Sequence, residues 1–382
     1  MRRVMIARRT IFATLLAGLL AACGGSKGLE PSPLPQFEPK IGARTAWKAT
    51  VGKAGIFIFS PAHSRDMVCA AGGNDRLSCF SSDNGRRMWV RRAGVSFSGG
   101  VGGGENMLLV GSSKGEVLAY DLSGTLLWRS QVSTEVLSAP TGSRSIVVVR
   151  AGDSKVFGLS AKDGTPRWEY ESNRQPLILR SNPGMAILDD TAVISGFPGG
   201  RLVKLDVRDG ALLWDIAVAT PRGDNELERL TDVAGTPILE NGWVCAVAFQ
   251  GRIGCFDSDK GAQIWARSAS SAGSLVADTR TVYYTESDGI VVALDKSTGA
   301  SLWRQDQLLY RKVSAPVVVG DWIVVGDFEG YVHVLSREDG SFVAQLPTDG
   351  SAIVAAPLEV KNRALVQTQA GSLYMIDLQN RG

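Results

Sequence analysis

Short runs of β-branched and aromatic residues recur along most of the chain. Examples are 145–150 (SIVVVR), Thr281–Thr285 (TVYYT) and Trp322–Gly326 (WIVVG). Turns rich in glycine and polar residues separate such runs, as at 113–115 and 328–330. Runs of this length and composition are typical of β-strands. The pattern therefore predicts an all-β protein built from many short strands.

A longer phrase repeats with a period of about 40 residues. In most copies it consists of an apolar residue, one further residue, Asp or Ser, then Gly three or four residues later and Trp four residues after that. Six copies end at Trp89, Trp128, Trp168, Trp214, Trp265 and Trp303. A seventh copy keeps the frame but ends at Ala344, and an eighth begins at Met375. Trp47 supplies the ending of the phrase without its beginning.

Four strands per unit of ~40 residues are typical of a β-propeller blade, and eight units predict one ring. We expect four antiparallel strands per blade over residues 41–382. The N-terminal strand carrying Trp47 would pair with the C-terminal segment and close the ring, which removes open strand edges. Seven blades with an unrelated flank is the alternative. The tryptophans fit packing between blades better than stacking on a ligand.

The N-terminus has the parts of a secretory signal. Four arginines precede an apolar run over 11–22, which is too short for a membrane span and ends at Cys23. The 20–23 sequence (LAAC) resembles a bacterial lipobox, which implies lipidation and cleavage at Cys23. We therefore expect a signal peptide over 1–22 and a lipidated, flexible tether over 23–40, which is rich in Gly, Ser and Pro. A membrane anchor or buried helix is the alternative, and the 8–12 sequence faintly resembles a twin-arginine signal.

The charge of the chain depends on that signal. Residues 1–22 contain four arginines and no acid, so their removal takes the formal net charge from +3 to −1. This argues against nucleic acid as a partner. The two histidines, His63 and His333, have no ligand or catalytic-triad spacing, and the glycine run at 99–104 lacks the Lys-Ser/Thr of a phosphate-binding loop. We expect no catalytic residue, metal or cofactor.

Four cysteines remain after Cys23 and form two equally spaced pairs. Cys69 and Cys79 have nine residues between them, as do Cys245 and Cys255. A hairpin within each pair would place the cysteines opposite each other on adjacent strands, close to disulfide reach. In an oxidising compartment we expect Cys69–Cys79 and Cys245–Cys255 disulfides. Two pairs of buried free thiols are the alternative.

The repeat resembles that of pyrroloquinoline quinone (PQQ) enzymes. Behind the lipobox, the chain from about Ser32 to Ile376 resembles the BamB family of outer-membrane lipoproteins. The segments that carry this second likeness are 32–35 (SPLP), 45–47 (TAW), 228–233 (ERLTDV) and 324–333 (VVGDFEGYVH). The resemblance implies a non-catalytic scaffold of the outer-membrane β-barrel assembly (BAM) complex, anchored at the periplasmic face of the outer membrane. It implies binding to the POTRA domains of BamA, as a monomer within the complex. Contact with unfolded outer-membrane protein clients is a further option.

The family's contact patch includes a Leu-x-Leu-Arg loop and an Asp-Val-Asp loop. Leu177, Leu179 and Arg180 match the first, whereas the second keeps Asp232 but has Ala234 in place of the second acid. Leu177 and Leu179 as inward-facing strand residues is the alternative. Two other functions stay open: a PQQ-dependent periplasmic dehydrogenase, and a propeller that binds another periplasmic protein or cell-wall ligand.

Overall fold

The computed structural model describes residues 29–172, 177–181, 183–188 and 190–380. These residues form thirty-two strands in eight sheets, and each sheet has four antiparallel strands. The described residues contain no helix with the length and hydropathy of a membrane span. The prediction of an eight-bladed, all-β propeller is confirmed, and the seven-bladed alternative is wrong.

The blades are numbered in chain order and their strands are given from the first to the last in each sheet. Blade 1 contains β2 (Ala62–Ser64), β3 (Met67–Ala71), β4 (Arg76–Ser81) and β5 (Arg87–Arg92), and blade 2 contains β6 (Gly102–Gly104), β7 (Met107–Gly111), β8 (Glu116–Asp121) and β9 (Leu126–Gln131). Blade 3 contains β10 (Thr141–Gly142), β11 (Ile146–Arg150), β12 (Val156–Ser160) and β13 (Pro166–Tyr170), and blade 4 contains β14 (Met185–Leu188), β15 (Ala192–Phe197), β16 (Arg201–Asp206) and β17 (Leu212–Ala217). Blade 5 contains β18 (Ile238–Glu240), β19 (Trp243–Val247), β20 (Gly251–Asp257) and β21 (Gln263–Ala269), and blade 6 contains β22 (Val276–Ala277), β23 (Thr281–Thr285), β24 (Val291–Asp295) and β25 (Ser301–Gln305). Blade 7 contains β26 (Val317–Val319), β27 (Trp322–Gly326), β28 (Tyr331–Ser336) and β29 (Phe342–Pro347), and blade 8 contains β30 (Leu358–Val360), β31 (Arg363–Gln367), β32 (Ser372–Asn380) and β1 (Ile41–Thr50).

Blade 8 closes the ring with strands from both ends of the chain. β1 pairs with β32 in antiparallel register from Ile41 opposite Asn380 to Thr50 opposite Ser372. A register shift between Thr45 and Trp47 bulges the strand. The predicted pairing of N- and C-terminal segments is therefore confirmed.

The alternation of antiparallel strands gives the ring two different faces. The connections from one blade to the next lie on the same face as the turns between second and third strands, which we call the connection face. The opposite face carries the turns between first and second and between third and fourth strands, and we call it the turn face. An isolated bridge between Pro198 and Asp232 joins a second-to-third-strand turn to a blade connection on the connection face.

The repeated tryptophans pack between blades. The indole Nε1 of each donates to a backbone carbonyl of the next blade's turn at 2.7–3.1 Å, in the pairs Trp47–Ser82, Trp89–Leu122, Trp128–Ala161, Trp168–Val207, Trp214–Ser258, Trp265–Lys296 and Trp303–Arg337. The repeated glycine of that turn faces the same indole. At Gly164, for example, φ is +73° and an added Cβ would lie 2.5 Å from the Trp128 ring. The interpretation as packing between blades is confirmed.

The two cysteine pairs occupy equivalent places in blades 1 and 5. Cys69 lies opposite Cys79, and Cys245 lies opposite Cys255, in the second and third strands. Each pair is joined as a disulfide with its Cα atoms 4.1 Å apart. All four side chains are buried in the cores between blades. Formation of both disulfides in the purified protein stays a prediction, which peptide mapping without reductant tests.

Part of the predicted tether is docked on the ring. Residues 29–40 form neither helix nor strand. The Ser32 amide donates to the Leu309 carbonyl, and the Lys40 amide donates to the Val343 carbonyl, both at 2.9 Å. The description as a free tether therefore does not hold for residues 32–40.

Candidate partner-binding site

The Leu-x-Leu-Arg loop lies on the connection face, between β13 of blade 3 and β14 of blade 4. It belongs to no strand, so the alternative of inward-facing strand leucines is wrong. Leu177 is 41% exposed and Ile178 is 37% exposed, whereas Leu179 is half-buried. The loop therefore presents two adjacent apolar side chains to solvent and turns the third towards the protein.

Asp232 holds this loop from beneath. It lies in the connection between blades 4 and 5 and is only 4% exposed. Its Oδ2 accepts a hydrogen bond from the Leu179 amide at 2.6 Å, and its Oδ1 accepts one from the Gly199 amide at 3.1 Å. Because both carboxylate oxygens are used inside the protein, Asp232 positions the loop instead of offering a charge to a partner.

Burial raises the pKa of Asp232 above its ordinary value. The hydrogen bonds from the Leu179 and Gly199 amides oppose this effect, as does the positive charge of Arg150. Burial in turn lowers the pKa of Arg150 to about 10, against the opposing charge of Asp232. The Arg150 guanidinium is therefore protonated at neutral pH, and its positive charge favours the ionised form of Asp232.

Arg150 is the residue beneath the site that the sequence did not indicate. It ends β11 of blade 3 and is buried. Its guanidinium donates to Ser195 Oγ at 3.0 Å and to the Gly196 carbonyl, and it lies 4.4 Å from the centroid of the Phe197 ring. Arg150 thereby links blade 3 to β15 of blade 4, below the Leu-x-Leu-Arg loop.

Arg180 is the exposed charge of the site. Its guanidinium lies 3.4 Å from Glu135 Oε1 and 5.7 Å from the centroid of the Phe57 ring. Glu135 precedes blade 3 and Phe57 precedes blade 1, so three blade connections meet at this side chain. An ion pair this exposed contributes little to stability, so Arg180 is available to pair with a partner's carboxylate.

The space between these residues is small. A cavity of about 100 Å³ is lined by residues that include Glu135, Arg150, Leu179, Arg180 and Asp232. Small-molecule sites usually occupy ~300–1,000 Å³. The arrangement of exposed apolar groups and one arginine around a shallow depression is typical of the centre of a protein–protein contact.

The structure brings together four of the predicted site residues, Leu177, Leu179, Arg180 and Asp232. Ala234, which replaces the second acid of the second motif, is buried. Cys23 and the signal peptide predicted over 1–22 lie outside the described residues. No group of three or more His, Cys, Asp or Glu side chains in the described part of the chain could hold a metal ion.

Solved structures relate this ring to two kinds of protein. The crystal structure of BamB from Moraxella catarrhalis matches with a TM-score of 0.81 and 26% identity, over 88% of this chain and 100% of that one. A quinohemoprotein alcohol dehydrogenase from Comamonas testosteroni matches with a TM-score of 0.69 and 12% identity, over 87% of this chain and 76% of that one. At 12% identity, the likeness to the dehydrogenase shows the fold alone.

Sequence comparison distinguishes between a relationship to BamB and one to the alcohol dehydrogenase. A family model described as outer membrane protein assembly factor BamB matches residues 73–305 and 288–382. Proteins of that name from Burkholderia pseudomallei and Nitrosomonas eutropha are 39% and 42% identical to this chain. These matches cover 93% and 87% of this chain, and 94% and 81% of the relatives. The chain therefore belongs to the BamB family of outer membrane protein assembly factors.

Proposed function

We propose that this chain is a non-catalytic scaffold subunit of the BAM complex, which binds the POTRA domains of BamA and assists the folding and insertion of outer-membrane proteins. Membership of a family named for outer-membrane protein assembly supports the general role. The observation that carries the binding mode is the Leu-x-Leu-Arg loop, whose exposed apolar pair and arginine stand on a backbone fixed by buried Asp232.

The chemistry of this loop fits a folded protein partner. Leu177 and Ile178 can insert into an apolar groove, and burial of an aliphatic side chain contributes about 1.5–3 kcal/mol. Arg180 can exchange its weak pairing with Glu135 for a two-point pairing with a partner carboxylate. Because the loop is already held in place, little ordering entropy opposes binding.

We further propose that Cys23 is lipidated, so that the protein is held at the periplasmic face of the outer membrane. The lipobox-like 20–23 sequence supports this, as does the mature charge near −1, which gives no attraction to an anionic lipid surface on its own. Several acyl chains on one residue would give stable anchoring, since each buried methylene contributes ~0.8 kcal/mol. Mass spectrometry of the N-terminal peptide tests the modification.

Co-purification with BamA tests the contact. We expect Leu177→Ala combined with Arg180→Ala to weaken recovery of BamA strongly, because the double variant removes an apolar anchor and the charge beside it. Leu212→Ala with Arg208→Ala is a matched control, since both residues are exposed on blade 4 away from the loop. Unchanged recovery of BamA by the correctly folded Leu177/Arg180 variant would refute the proposal.

A further inference from the structure

The arm, which we define as residues 32–40, crosses the outer rim of the ring between blades 6 and 7. Its Ser32 end bonds to Leu309, in the connection that follows β25 of blade 6. The Lys40 end lies at the opposite face, where Lys40 Nζ is 3.4 Å from Ser341 Oγ in a third-to-fourth-strand turn. The arm therefore runs from the connection face to the turn face, where β1 begins.

Side-chain packing holds the middle of the arm. The Phe37 ring stacks on Phe342 of β29, with ring centroids 5.4 Å apart and planes 25° apart. Phe37 also packs against the apolar cluster between blades 6 and 7 that contains Trp303 and Leu308. An aromatic side chain in such a contact adds about 0.5–1.5 kcal/mol beyond its buried area. The arm is thus fixed by its own side chain and by its backbone.

A buried charge cluster receives the Ser32 end. Arg311 donates to the Ser32 carbonyl at 2.9 Å and to Asp327 Oδ2 at 2.8 Å, and it also pairs with Glu329. Asp327 Oδ2 lies 3.0 Å from His333 Nε2, and both of these side chains are fully buried. A guanidinium fixed on two carboxylates offers its remaining N–H in a set direction. The ring therefore carries a preformed receptor for the arm's backbone.

We propose that the arm fixes where the lipid anchor leaves the ring, so that the connection face at blades 6 and 7 lies nearer to the membrane surface than the turn face does. This inference rests on the proposed lipidation of Cys23. Ser32 is nine residues from Cys23, and an extended chain spans at most ~3.3–3.6 Å per residue, or about 30 Å. If the arm were free, the first fixed residue would be Ile41 on the turn face, 18 residues away, with a reach of about 60 Å.

The Leu-x-Leu-Arg loop lies on the same face of the ring as the Ser32 end of the arm. The loop lies between blades 3 and 4, and the arm leaves between blades 6 and 7, three blades further around the ring. A docked arm thus sets the distance and the orientation at which the loop is presented beneath the lipid surface. The arm acts as a positioning element, and the surface towards which it orients the ring is the phospholipid headgroup layer.

Energy transfer to a membrane-surface acceptor tests this arrangement. The full-length, lipidated protein is placed in phospholipid vesicles that carry an acceptor dye on a fraction of the headgroups. A donor dye is attached in turn at Gln307→Cys, on the connection face, and at Glu338→Cys, on the turn face of blade 7; both residues are exposed. We expect higher transfer from the Gln307 position, and we expect Phe37→Asp to abolish the difference.

Glu38→Ala is the matched control, because Glu38 is an exposed neighbour of Phe37 in the arm. It should keep the difference in transfer. Equal transfer from the two positions in the unsubstituted protein would overturn the proposal, and so would a difference that survives when Phe37→Asp has removed hydrogen-exchange protection from the Ser32 amide. POTRA binding in solution is measured separately, so its loss would count against the proposed function and not against the arm.

Discussion

Replacing Asp232 with asparagine alters the candidate site by a single group and leaves its volume unchanged. The two carboxylate oxygens accept the Leu179 amide at 2.6 Å and the Gly199 amide at 3.1 Å. An asparagine side chain has one acceptor oxygen, and its NH₂ group can only donate. One of the two amides would therefore lose its acceptor and face a donor. We expect the Leu-x-Leu-Arg loop to detach more often from the ring.

The size of the effect follows from these contacts. A hydrogen bond to a charged group contributes about 1.5–3 kcal/mol. Removing the charge also relieves its burial cost, which is the effect that raises the pKa of Asp232. Against this, Arg150 would remain buried beside a neutral group. We expect a net loss of about 2 kcal/mol, or roughly 30-fold in the equilibrium between attached and detached loop.

Hydrogen exchange at the Leu179 amide measures this equilibrium directly. Its rate should rise by roughly the same factor, while amides in blade 8 should be unaffected. POTRA affinity should fall only as far as the detached loop becomes populated. Asp259→Asn is the control, because Asp259 is a highly exposed aspartate that pairs with Lys204. An unchanged Leu179 exchange rate in the Asp232→Asn protein would refute the positioning role.

Three further predictions concern the ring. Trp128→Phe should lower the free energy of unfolding by about 1–2 kcal/mol, since it keeps an aromatic ring but removes the hydrogen bond to blade 3; an unchanged urea midpoint would contradict this. Replacing both Cys69 and Cys79 with alanine should lower the free energy of unfolding by about 2–3 kcal/mol, if the disulfide acts by reducing the entropy of the unfolded chain. Peptide mapping without reductant that finds Cys69 unbridged would contradict this prediction. Hydrogen bonds from the side chain and amide of Thr165 lower the pKa of Asp163 to about 2, so its stabilising effect is complete above pH ~4 and is lost as the pH falls towards 2. Thermal unfolding across that range should show a smaller loss for Asp163→Asn, and identical pH profiles would contradict the assignment.

The architecture was predictable because each blade repeats the same contact between a turn glycine and the tryptophan of the preceding blade. The glycine of every turn has to face the indole of the preceding blade without a Cβ, as Gly164 faces Trp128. That requirement fixes a glycine and a tryptophan at a constant offset within each repeat, so the spacing records the contact between blades. The exception at Ala344 was visible for the same reason. It falls on blade 7, where the arm lies against β29.

The interior of the site could not be predicted in this way. Asp232 and Leu179 are 53 residues apart. Because Leu179 donates through its backbone amide, this hydrogen bond does not restrict which side chain stands at position 179. The resemblance placed Asp232 in the contact patch for a partner, whereas its carboxylate is turned inward. Arg150 was hidden for a related reason, because it ends an apolar strand and its partners come from the next blade.

The arm and the loop together explain how a symmetric fold can act as an oriented scaffold. Eight nearly equivalent blades offer eight nearly equivalent edges, so orientation must come from features that break the repeat. Two features that break the repeat on the connection face are the arm, seated in the charge cluster around Arg311, and the loop, seated on Asp232. Both use buried charges to hold backbone atoms, and both emerge on the connection face. Loss of either should leave the ring folded and change only how it is presented, which separates this arrangement from a role in stability.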